Sequence, residues 1–297
     1  MNPFLIDGPA IVSLSGGRTS AYMLRRILDA GLRPDVHVVF CNTGKEDEAT
    51  LAFVDRLARA WGVSVAWLEY RREREPHYRS PDVARIARRF RDARGRGALA
   101  PGPERGFREV DFGTASRRGE PFENYVGMSG TPNPSIRTCT TELKIRPMKR
   151  WMIERGYERW DMVVGIRADE PARVAKLRRS PPERWEHAMP LADAGIVEAD
   201  VLAFWRGHPL DLELPVDPEL GTYLGNCDGC WLKSVDKLQR IEREHPGRLA
   251  WWEDVERDAG SPFRRERHGY ARLRVLAAEG APTSAGSDDL GDCICHD

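Results

Sequence analysis

Short apolar segments alternate with longer amphipathic ones over the first 70 residues, and this order constrains the fold more than any other feature of the chain. The apolar segments 10–14, 36–41 and 64–68 have the length of buried strands, whereas the segments 19–32 and 46–61 repeat apolar residues every three or four positions, as helices do. A strand joined to the next strand through a helix runs parallel to it. The sequence therefore predicts an α/β fold built on a parallel sheet.

The rest of the chain is less regular and becomes mostly helical towards its end. Periodicity fades over about 71–137, where Gly, Pro and Arg are frequent, and we expect an irregular insertion there that leaves the sheet. The pattern predicts three parts: an α/β domain over 1–183 that contains this insertion, a helical region over 184–279, and a flexible tail over 280–297.

Charge and hydropathy exclude several classes of protein. The 46 basic residues balance 46 acidic ones, so the chain has no overall charge with which to attract nucleic acid or a membrane surface. No apolar run approaches the roughly 20 residues that span a bilayer, and the N-terminus lacks the pattern of a secretory signal. We therefore expect a cytoplasmic protein with no membrane partner. Its six cysteines are then candidates for metal binding or catalysis before disulfides.

A Gly-rich turn lies between the first predicted strand and the first predicted helix. Open α/β sheets bind ligands at the carboxyl ends of their strands. Glycines at a helix N-terminus let backbone N–H groups approach an anion, and neighbouring hydroxyl groups add donors. We expect the turn to hold a phosphate or sulfate, and an ordinary strand-to-helix turn is the alternative. Its residues are Ser15, Gly16, Gly17, Arg18, Thr19 and Ser20.

The order of three segments resembles the PP-loop adenine-nucleotide family: SGGRTS after the first strand, FCNTGKE after the second and VGIRADE after a later one. Within that family, the chain is similar to the phosphoadenosine phosphosulfate (PAPS) reductase branch over residues 11 to about 233. The resemblance implies a Rossmann-like parallel sheet of the PP-loop (adenine nucleotide alpha hydrolase-like) type, with the loop after the first strand on a phosphate or sulfate. ATP-cleaving members generally carry SGGxDS, and Thr19 stands where that Asp would be.

The second of these segments ends the second predicted strand with polar side chains. By the same geometric rule, we expect Asn42 and Thr43 to face the ligand and to contact its base or ribose. The alternative is a helix N-terminus in which Thr43 caps the helix and Glu46 completes a capping box. Both roles are compatible.

Basic residues in and near the third segment are expected to bind the anionic groups. The resemblance places Gly165 and Arg167 near the phosphates, and a planar guanidinium binds a phosphate or sulfate through two hydrogen bonds. An exposed arginine paired with a neighbouring carboxylate is the alternative for Arg167. We expect Arg137, Lys144 and Arg146 to complete a basic wall around the substrate.

Three cysteines are candidates for metal ligands. Cys227 and Cys230 form a CxxC motif, for which a structural zinc half-site or two surface thiols are the ordinary alternatives. The wider pattern resembles the iron–sulfur adenosine phosphosulfate (APS) reductases, in which a Cys-Cys pair and a distant CxxC hold a [4Fe–4S] cluster. The resemblance implies that Cys139, Cys227 and Cys230 bind such a cluster. Cys139 has threonines on both sides, so one thiolate of the family's pair is missing.

The tail carries two further thiols. The sequence CICH at 293–296 is similar to the Cys-Gly-x-His tail that bears the nucleophilic cysteine of these reductases, with Ile in place of Gly. The resemblance implies that Cys293 or Cys295 is the nucleophile. A fourth ligand for the cluster and an inert tail are the alternatives.

These features predict an enzyme and leave two alternatives. The prediction is a PAPS/APS reductase-like oxidoreductase of sulfur metabolism, in which a tail thiolate attacks the sulfur of a phosphosulfate held by Arg167 and the Gly-rich turn. A thioredoxin-like or other dithiol reductant then releases sulfite. The first alternative is an ATP-dependent sulfur transferase that acts on tRNA or DNA through the iron–sulfur cluster. The second is a non-catalytic module that binds nucleotide or nucleic acid and holds structural zinc. A homo-oligomer is compatible with each.

Overall fold

The computed structural model describes residues 2–71, 81–94, 106–133, 138–181, 183–217, 221–225, 227–264 and 268–280. Its strands are β1 (Ala10–Ser13), β2 (Val36–Asn42), β3 (Val65–Tyr70), β4 (Phe107–Val110), β5 (Trp160–Val163), β6 (Trp185–Ala188), β7 (Val216–Asp217) and β8 (Gly221–Thr222). Its helices are α1 (Arg18–Ala30), α2 (Glu48–Trp61), α3 (Pro81–Arg94), α4 (Glu120–Ser129), α5 (Arg146–Glu154), α6 (Pro171–Arg178), α7 (Pro190–Asp193), α8 (Glu198–Gly207), α9 (Val235–Glu244), α10 (Ala250–Ala259) and α11 (Tyr270–Ala278). A π-helical turn, Thr141–Ile145, precedes α5.

Six strands form the central sheet in the order β4-β3-β2-β1-β5-β6. Only β4 pairs antiparallel, and the other neighbours are parallel. The chain moves outward from β1 through β2 to β3 and later returns to the other side of β1, so the strand order reverses at β1. The carboxyl end of the strand where the order reverses is where open α/β sheets bind ligands. The predicted α/β fold with a mostly parallel sheet is confirmed.

Each face of the sheet packs against its own layer of helices. Alternate strand residues point to opposite faces, and Val12 and Ile11 accordingly belong to two separate core clusters. The larger cluster contains the buried side chains of α1 and α2, and the smaller one contains Met148, Trp151 and Met152 of α5. The sheet is therefore enclosed on both sides, and β1, β2 and β5 finish at the same end of it.

The predicted irregular insertion contains more regular structure than the sequence suggested. Its described residues form α3, β4 and α4, and β4 joins the sheet edge beside β3. The strand Phe107–Val110 has only four residues, and two of them are charged and exposed, so it lacks an alternating apolar pattern long enough to be detected. The insertion thus extends the sheet by one strand.

The C-terminal part is mostly helical, as the sequence predicts, and packs on α4. An aromatic cluster joins them: the ring of Phe122 lies 5.3 Å from that of Trp252, which stacks on Tyr270 at 5.7 Å. Among the described residues, no helix has the length and apolar character needed to cross a lipid bilayer.

Candidate functional site

The loop after β1, residues 15–20, surrounds the N-terminus of α1 and is called the anion loop here. Gly17 is the N-cap of α1 and supplies no side-chain cap, so the first N–H groups of the helix have no side-chain acceptor at that position. The hydroxyl groups of Ser15 and Ser20 lie 2.8 Å apart, and Ser20 Oγ also accepts from Ser15 N. Ser20 therefore shapes the loop, while the helix N-terminus provides the positive end of a dipole for an anion.

Two glycines allow the close packing that forms this loop. Gly16 has φ +86°, and a Cβ there would lie 2.5 Å from Thr50 Cγ2. Gly165 follows β5, and a Cβ on it would lie 3.1 Å from Ser20 Cα. A side chain at either position would push the loop away from its neighbours. Gly165 thus acts by letting the chain after β5 approach the first turn of α1.

Arg18 is held by a carboxylate from a distant part of the chain. Its Nε and Nη2 donate to the two carboxylate oxygens of Asp211 at 2.7 and 2.8 Å. This hydrogen bond lowers the pKa of Asp211. The prediction that Arg18 binds the ligand anion is therefore not supported by its side chain, which fastens the segment around Asp211 to the anion loop.

Arg167, predicted to bind the anionic groups of the ligand, lies beside the anion loop. Its Nη1 donates to Thr19 Oγ1 at 3.3 Å, and its Nε donates to Asp169 at 3.0 Å. Glu170 accepts from the backbone N–H of Arg167 at 3.0 Å and fixes the start of this segment. The carboxylate pairing that was the alternative role for Arg167 is thus present together with the contact to the loop.

Two hollows open on either side of the anion loop, and Ser15 lines both. The first, called the polar hollow, has a cavity volume of about 80 Å³ and is lined by residues 15–19 together with Arg167, Leu212 and Gly225, among others. The second, called the apolar hollow, has a cavity volume of about 120 Å³. Both hollows are open to solvent.

The apolar hollow lies between the sheet and the layer that contains α5 and α6. Its walls include Met148 from α5, Leu177 from α6, and Met162 and Trp185 from β5 and β6. His187 also faces it, and burial lowers the pKa of this imidazole, which is therefore neutral at pH 7. A flat apolar ring with a few polar edges matches such a lining. The sequence gives no signal for this wall, because its residues come from separate elements that only the fold brings together.

Asn42 and Thr43 do not project into either hollow. Asn42 has no exposed surface, and its amide nitrogen donates to Glu69 at 2.6 Å and to the carbonyl of Ser116 at 2.8 Å. The prediction that Asn42 contacts the ligand is therefore wrong in this structure, because its donors are used inside the protein. The hydroxyl of Thr43 lies 2.9 Å from Glu46, and burial raises the pKa of that carboxyl.

The predicted capping box at Thr43 is also displaced. The helix α2 begins at Glu48, and Asp47 is its N-cap, with a side chain that accepts from Ala49 N at 2.8 Å. Thr43 and Glu46 bond to each other in the loop before the helix. Aspartate is as good an N-cap as threonine, so α2 is capped by Asp47 one turn later than expected and without a capping box.

The CxxC turn packs against the loop that follows β2. Cys227 Sγ lies 3.3 Å from Thr43 Oγ1, and Cys227 forms a β-bridge with Glu46. Asp228 is 4% exposed and pairs with Lys45 at 3.2 Å and with Arg248 at 3.1 Å. A Cβ on Gly229 would lie 2.4 Å from the ring of Trp252, so only glycine fits there. The turn is therefore fixed beside the end of β2.

The described cysteines do not form a metal site. No group of three His, Cys, Asp or Glu side chains in the described ranges is arranged to hold a metal ion. Cys139 lies directly before the π-helical turn, and it forms no disulfide with Cys227 or Cys230. In the described part of the chain these residues are not gathered into a [4Fe–4S] or zinc site, and their role as metal ligands stays a prediction. Cys293 and Cys295 lie outside the described residues.

The predicted basic wall is present in part. Lys144 lies on the π-helical turn and lines the apolar hollow. Arg146 is exposed and pairs with Glu142 at 2.8 Å. Arg137 lies outside the described residues. Of the two described members, Lys144 therefore lies at the apolar hollow, and neither lines the polar one.

Comparison with known proteins identifies relatives from a virus and an archaeon. The chain is 32% identical over 244 residues to the uncharacterized nin region protein ORF290 of Escherichia phage lambda, covering 80% of this chain and 70% of the phage protein. It is 25% identical over 259 residues to an uncharacterized protein of Methanocaldococcus jannaschii, and it spans 42% of that protein. No family model matches the chain.

A solved structure, the U34-tRNA thiolase NcsA from Methanococcus maripaludis with its [4Fe-4S] cluster, superposes with a TM-score of 0.40 and 14% identity. It covers 88% of this chain and 74% of the thiolase. A similarity of that size assigns no function. The relationship to the phage protein is closer, and on its identity and coverage the chain belongs to the family of the phage lambda nin region protein ORF290.

Proposed function

We propose that the chain is an enzyme that binds an adenine nucleotide, with the base in the apolar hollow and the phosphates on the anion loop. The observation that carries the proposal is that Ser15 lines both hollows, so the two hollows meet at the anion loop. A nucleotide with its base in the apolar hollow can therefore place its phosphates on that loop. The position of the loop where the strand order reverses supports it. The order of the segments SGGRTS, FCNTGKE and VGIRADE, which resembles the PP-loop family, also supports it.

The reaction we propose is ATP-dependent sulfur transfer to an acceptor carbonyl. In the first step the carbonyl oxygen attacks the α-phosphorus of ATP. An oxygen–phosphorus bond forms, the bond between the α- and β-phosphates breaks, and pyrophosphate leaves. The N–H groups at the start of α1 and the guanidinium of Arg167 stabilise the negative charge of the transferring phosphates.

The second step uses the CxxC thiols: Gly225 lines the polar hollow, and Cys227 follows it two residues later in the sequence. A protein persulfide passes its outer sulfur to the Cys227 thiolate and leaves as a thiol. The outer sulfur on Cys227 then attacks the adenylated carbon, so that a carbon–sulfur bond forms, the carbon–oxygen bond breaks and AMP leaves. The Cys230 thiolate attacks the inner sulfur of Cys227 and releases the thiolated acceptor. An external dithiol reduces the resulting disulfide.

The test combines ATP, a persulfide donor, a dithiol and a bulk preparation of tRNA or DNA as acceptor. We expect pyrophosphate, AMP and acceptor-bound sulfur in equal amounts. Cys227→Ser should abolish sulfur transfer while retaining exchange of labelled pyrophosphate into ATP, because the first step does not use the thiol. Cys139→Ser is the matched control and should keep both activities. If Cys139→Ser and Cys227→Ser lose sulfur transfer to the same extent, the persulfide reaction is rejected in favour of a cluster held by Cys139, Cys227 and Cys230.

Reduction of a phosphosulfate is the second candidate, and one observation favours it. The anion loop contains no carboxylate to hold a cation for ATP, and Thr19 instead contacts Arg167. A sulfate needs no such cation. Release of sulfite from APS or PAPS in the presence of a dithiol, with no pyrophosphate from ATP, would establish this candidate and reject sulfur transfer.

A further inference from the structure

Two basic stretches border the apolar hollow from opposite sides. The first, residues 144–150, comes from the π-helical turn and α5, and the second, residues 173–184, contains most of α6 and the chain that leads to β6. Together they hold nine basic residues and one acidic residue, in a chain whose formal net charge is zero. We call these two stretches the basic rim. The balance of charge over the whole chain therefore conceals a local excess of positive charge.

An ion pair joins the two stretches. Lys149 of α5 pairs with Glu183 at 3.2 Å, and its ammonium group lies 5.3 Å from the ring centre of Trp185, which lines the hollow. Lys144 and Met148 line the hollow from one stretch, and Arg173 and Leu177 line it from the other. Each stretch thus places a basic residue at the hollow in which we place the base of the nucleotide.

Several charges of the basic rim are available to a partner. Lys176, Arg179 and Arg184 are exposed, and within the described part of the chain none of them forms an ion pair. Arg178 differs, because it pairs with Asp193 at 2.9 Å. No residue of α6 is buried, so the helix presents its polar side chains to solvent over its length of about 12 Å. A row of this length is longer than one phosphate group.

We propose that the basic rim binds the phosphate backbone of an RNA, whose unpaired loop brings the acceptor carbonyl of a base to the nucleotide. Exposed lysine and arginine side chains around a cleft are the usual electrostatic footprint of a nucleic-acid site. An unstacked base in an RNA loop reaches a pocket directly, whereas a base in duplex DNA must first be flipped out at a cost of a few kcal/mol. The proposal names the acceptor of the sulfur transfer proposed above and rests on it for the chemistry alone.

The test measures binding of a fluorescently labelled RNA hairpin with a single-stranded loop, by anisotropy, over a series of salt concentrations. The triple variant Lys176→Gln, Arg179→Gln, Arg184→Gln removes three charges from the basic rim. We expect its RNA affinity to fall at least tenfold in low salt. The slope of log affinity against log salt should fall by roughly 2, since each phosphate contact in a single strand contributes about 0.7. Its affinity for ATP should be unchanged.

The matched control removes three charges elsewhere. Arg33→Gln, Arg59→Gln and Arg206→Gln change exposed residues on or next to α1, α2 and α8, away from α5 and α6. The control should bind RNA like the unmodified chain. Equal losses in both triple variants, no RNA binding by the unmodified chain, or tighter binding of duplex DNA or polyglutamate than of the hairpin would each overturn the proposal.

The result of the RNA-binding test does not depend on whether the chain transfers sulfur. If the triple variant loses RNA binding and the unmodified chain never releases pyrophosphate from ATP, the sulfur-transfer reaction is rejected and the RNA-binding role of the basic rim stands. If the triple variant instead loses affinity for ATP or PAPS and still binds the hairpin, these charges serve the nucleotide and the RNA-binding role is overturned.

Discussion

At the scale of single residues, the site depends on a few positions that only one residue type can occupy. Gly16 has a positive φ and faces Thr50, and Gly229 faces the indole of Trp252. Arg18 looked in the sequence like an anion ligand, yet its side chain is bound by Asp211, 193 residues away. Residue type alone predicts the chemistry of a side chain, but its partner decides whether that chemistry is available to a ligand.

The Gly16→Ala variant tests the anion loop at this scale. The new Cβ would contact Thr50 Cγ2 and force the loop to move, so we expect the affinity for ATP to fall at least about tenfold, or 1.4 kcal/mol. Isothermal titration calorimetry measures this. Gly62→Ala is the control, because Gly62 has φ +63° with no atom within 4 Å of a Cβ. It should lower the free energy of unfolding by roughly 1 kcal/mol and leave ATP affinity unchanged. Equal ATP affinities for the two variants would show that the anion loop is not part of the ATP-binding site.

At the scale of elements, the parallel core of the fold could be predicted and its edges could not. α1, α2, β2 and β3 follow from apolar patterns that extend over six residues or more, and β1 from a short run of buried apolar residues. β6 is as short as β1, but its residues Trp185–Ala188 include Glu186 and His187 and none is fully buried, so it has no apolar run to detect. The apolar hollow was missed for another reason: its walls come from β5, β6, α5 and α6, and only the fold brings them together.

A pair of carboxylates on neighbouring strands gives a pH-dependent prediction. Asp161 on β5 lies opposite Glu186 on β6, and burial, together with the charge of Glu186, raises the pKa of Asp161 above its ordinary value of 3.8. A carboxyl with a raised pKa binds more protons when folded than when unfolded. Its contribution to stability is therefore lost as the pH rises from the unfolded pKa of 3.8 through the higher pKa of the folded state. Asp161→Asn should therefore be more stable than the unmodified chain at pH 7, by a few tenths of a kcal/mol up to about 1 kcal/mol.

The advantage of Asp161→Asn should disappear well below pH 3.8, where the carboxyl is protonated in both the folded and the unfolded state. Denaturant unfolding at about pH 2.5 and at pH 7 measures both values. A pH-independent difference between the two proteins would exclude the carboxylate repulsion as its cause.

At the scale of the whole molecule, one buried aspartate connects the helical part to the sheet. Asp228 accepts from Trp252 Nε1 at 2.9 Å and pairs with Lys45, which follows β2, while Arg248 bridges Asp228 and Asp47. Lys45 is itself nearly buried. The CxxC turn, α10 and the loop after β2 therefore form one continuous unit.

Removing this connection should affect the entire fold. Asp228→Ala leaves Lys45 buried without its carboxylate, and we expect the free energy of unfolding to fall by roughly 3–5 kcal/mol. Arg248→Ala keeps the pair of Asp228 with Lys45 and removes a more exposed partner, so its loss should be less than half as large. Urea unfolding followed by tryptophan fluorescence and circular dichroism measures both. A loss below about 1 kcal/mol for Asp228→Ala would show that the two parts are held together elsewhere.

The position of Trp252 has a practical consequence for the chemistry of the thiols. Its indole N–H is fixed on Asp228, and its ring lies against the Gly229 backbone between Cys227 and Cys230. Indole emission is sensitive to nearby sulfur and to shifts of the groups bonded to its N–H. Trp252 is thus an internal optical probe of the CxxC turn among the nine tryptophans of the chain, and we expect disulfide formation between Cys227 and Cys230 to change its emission.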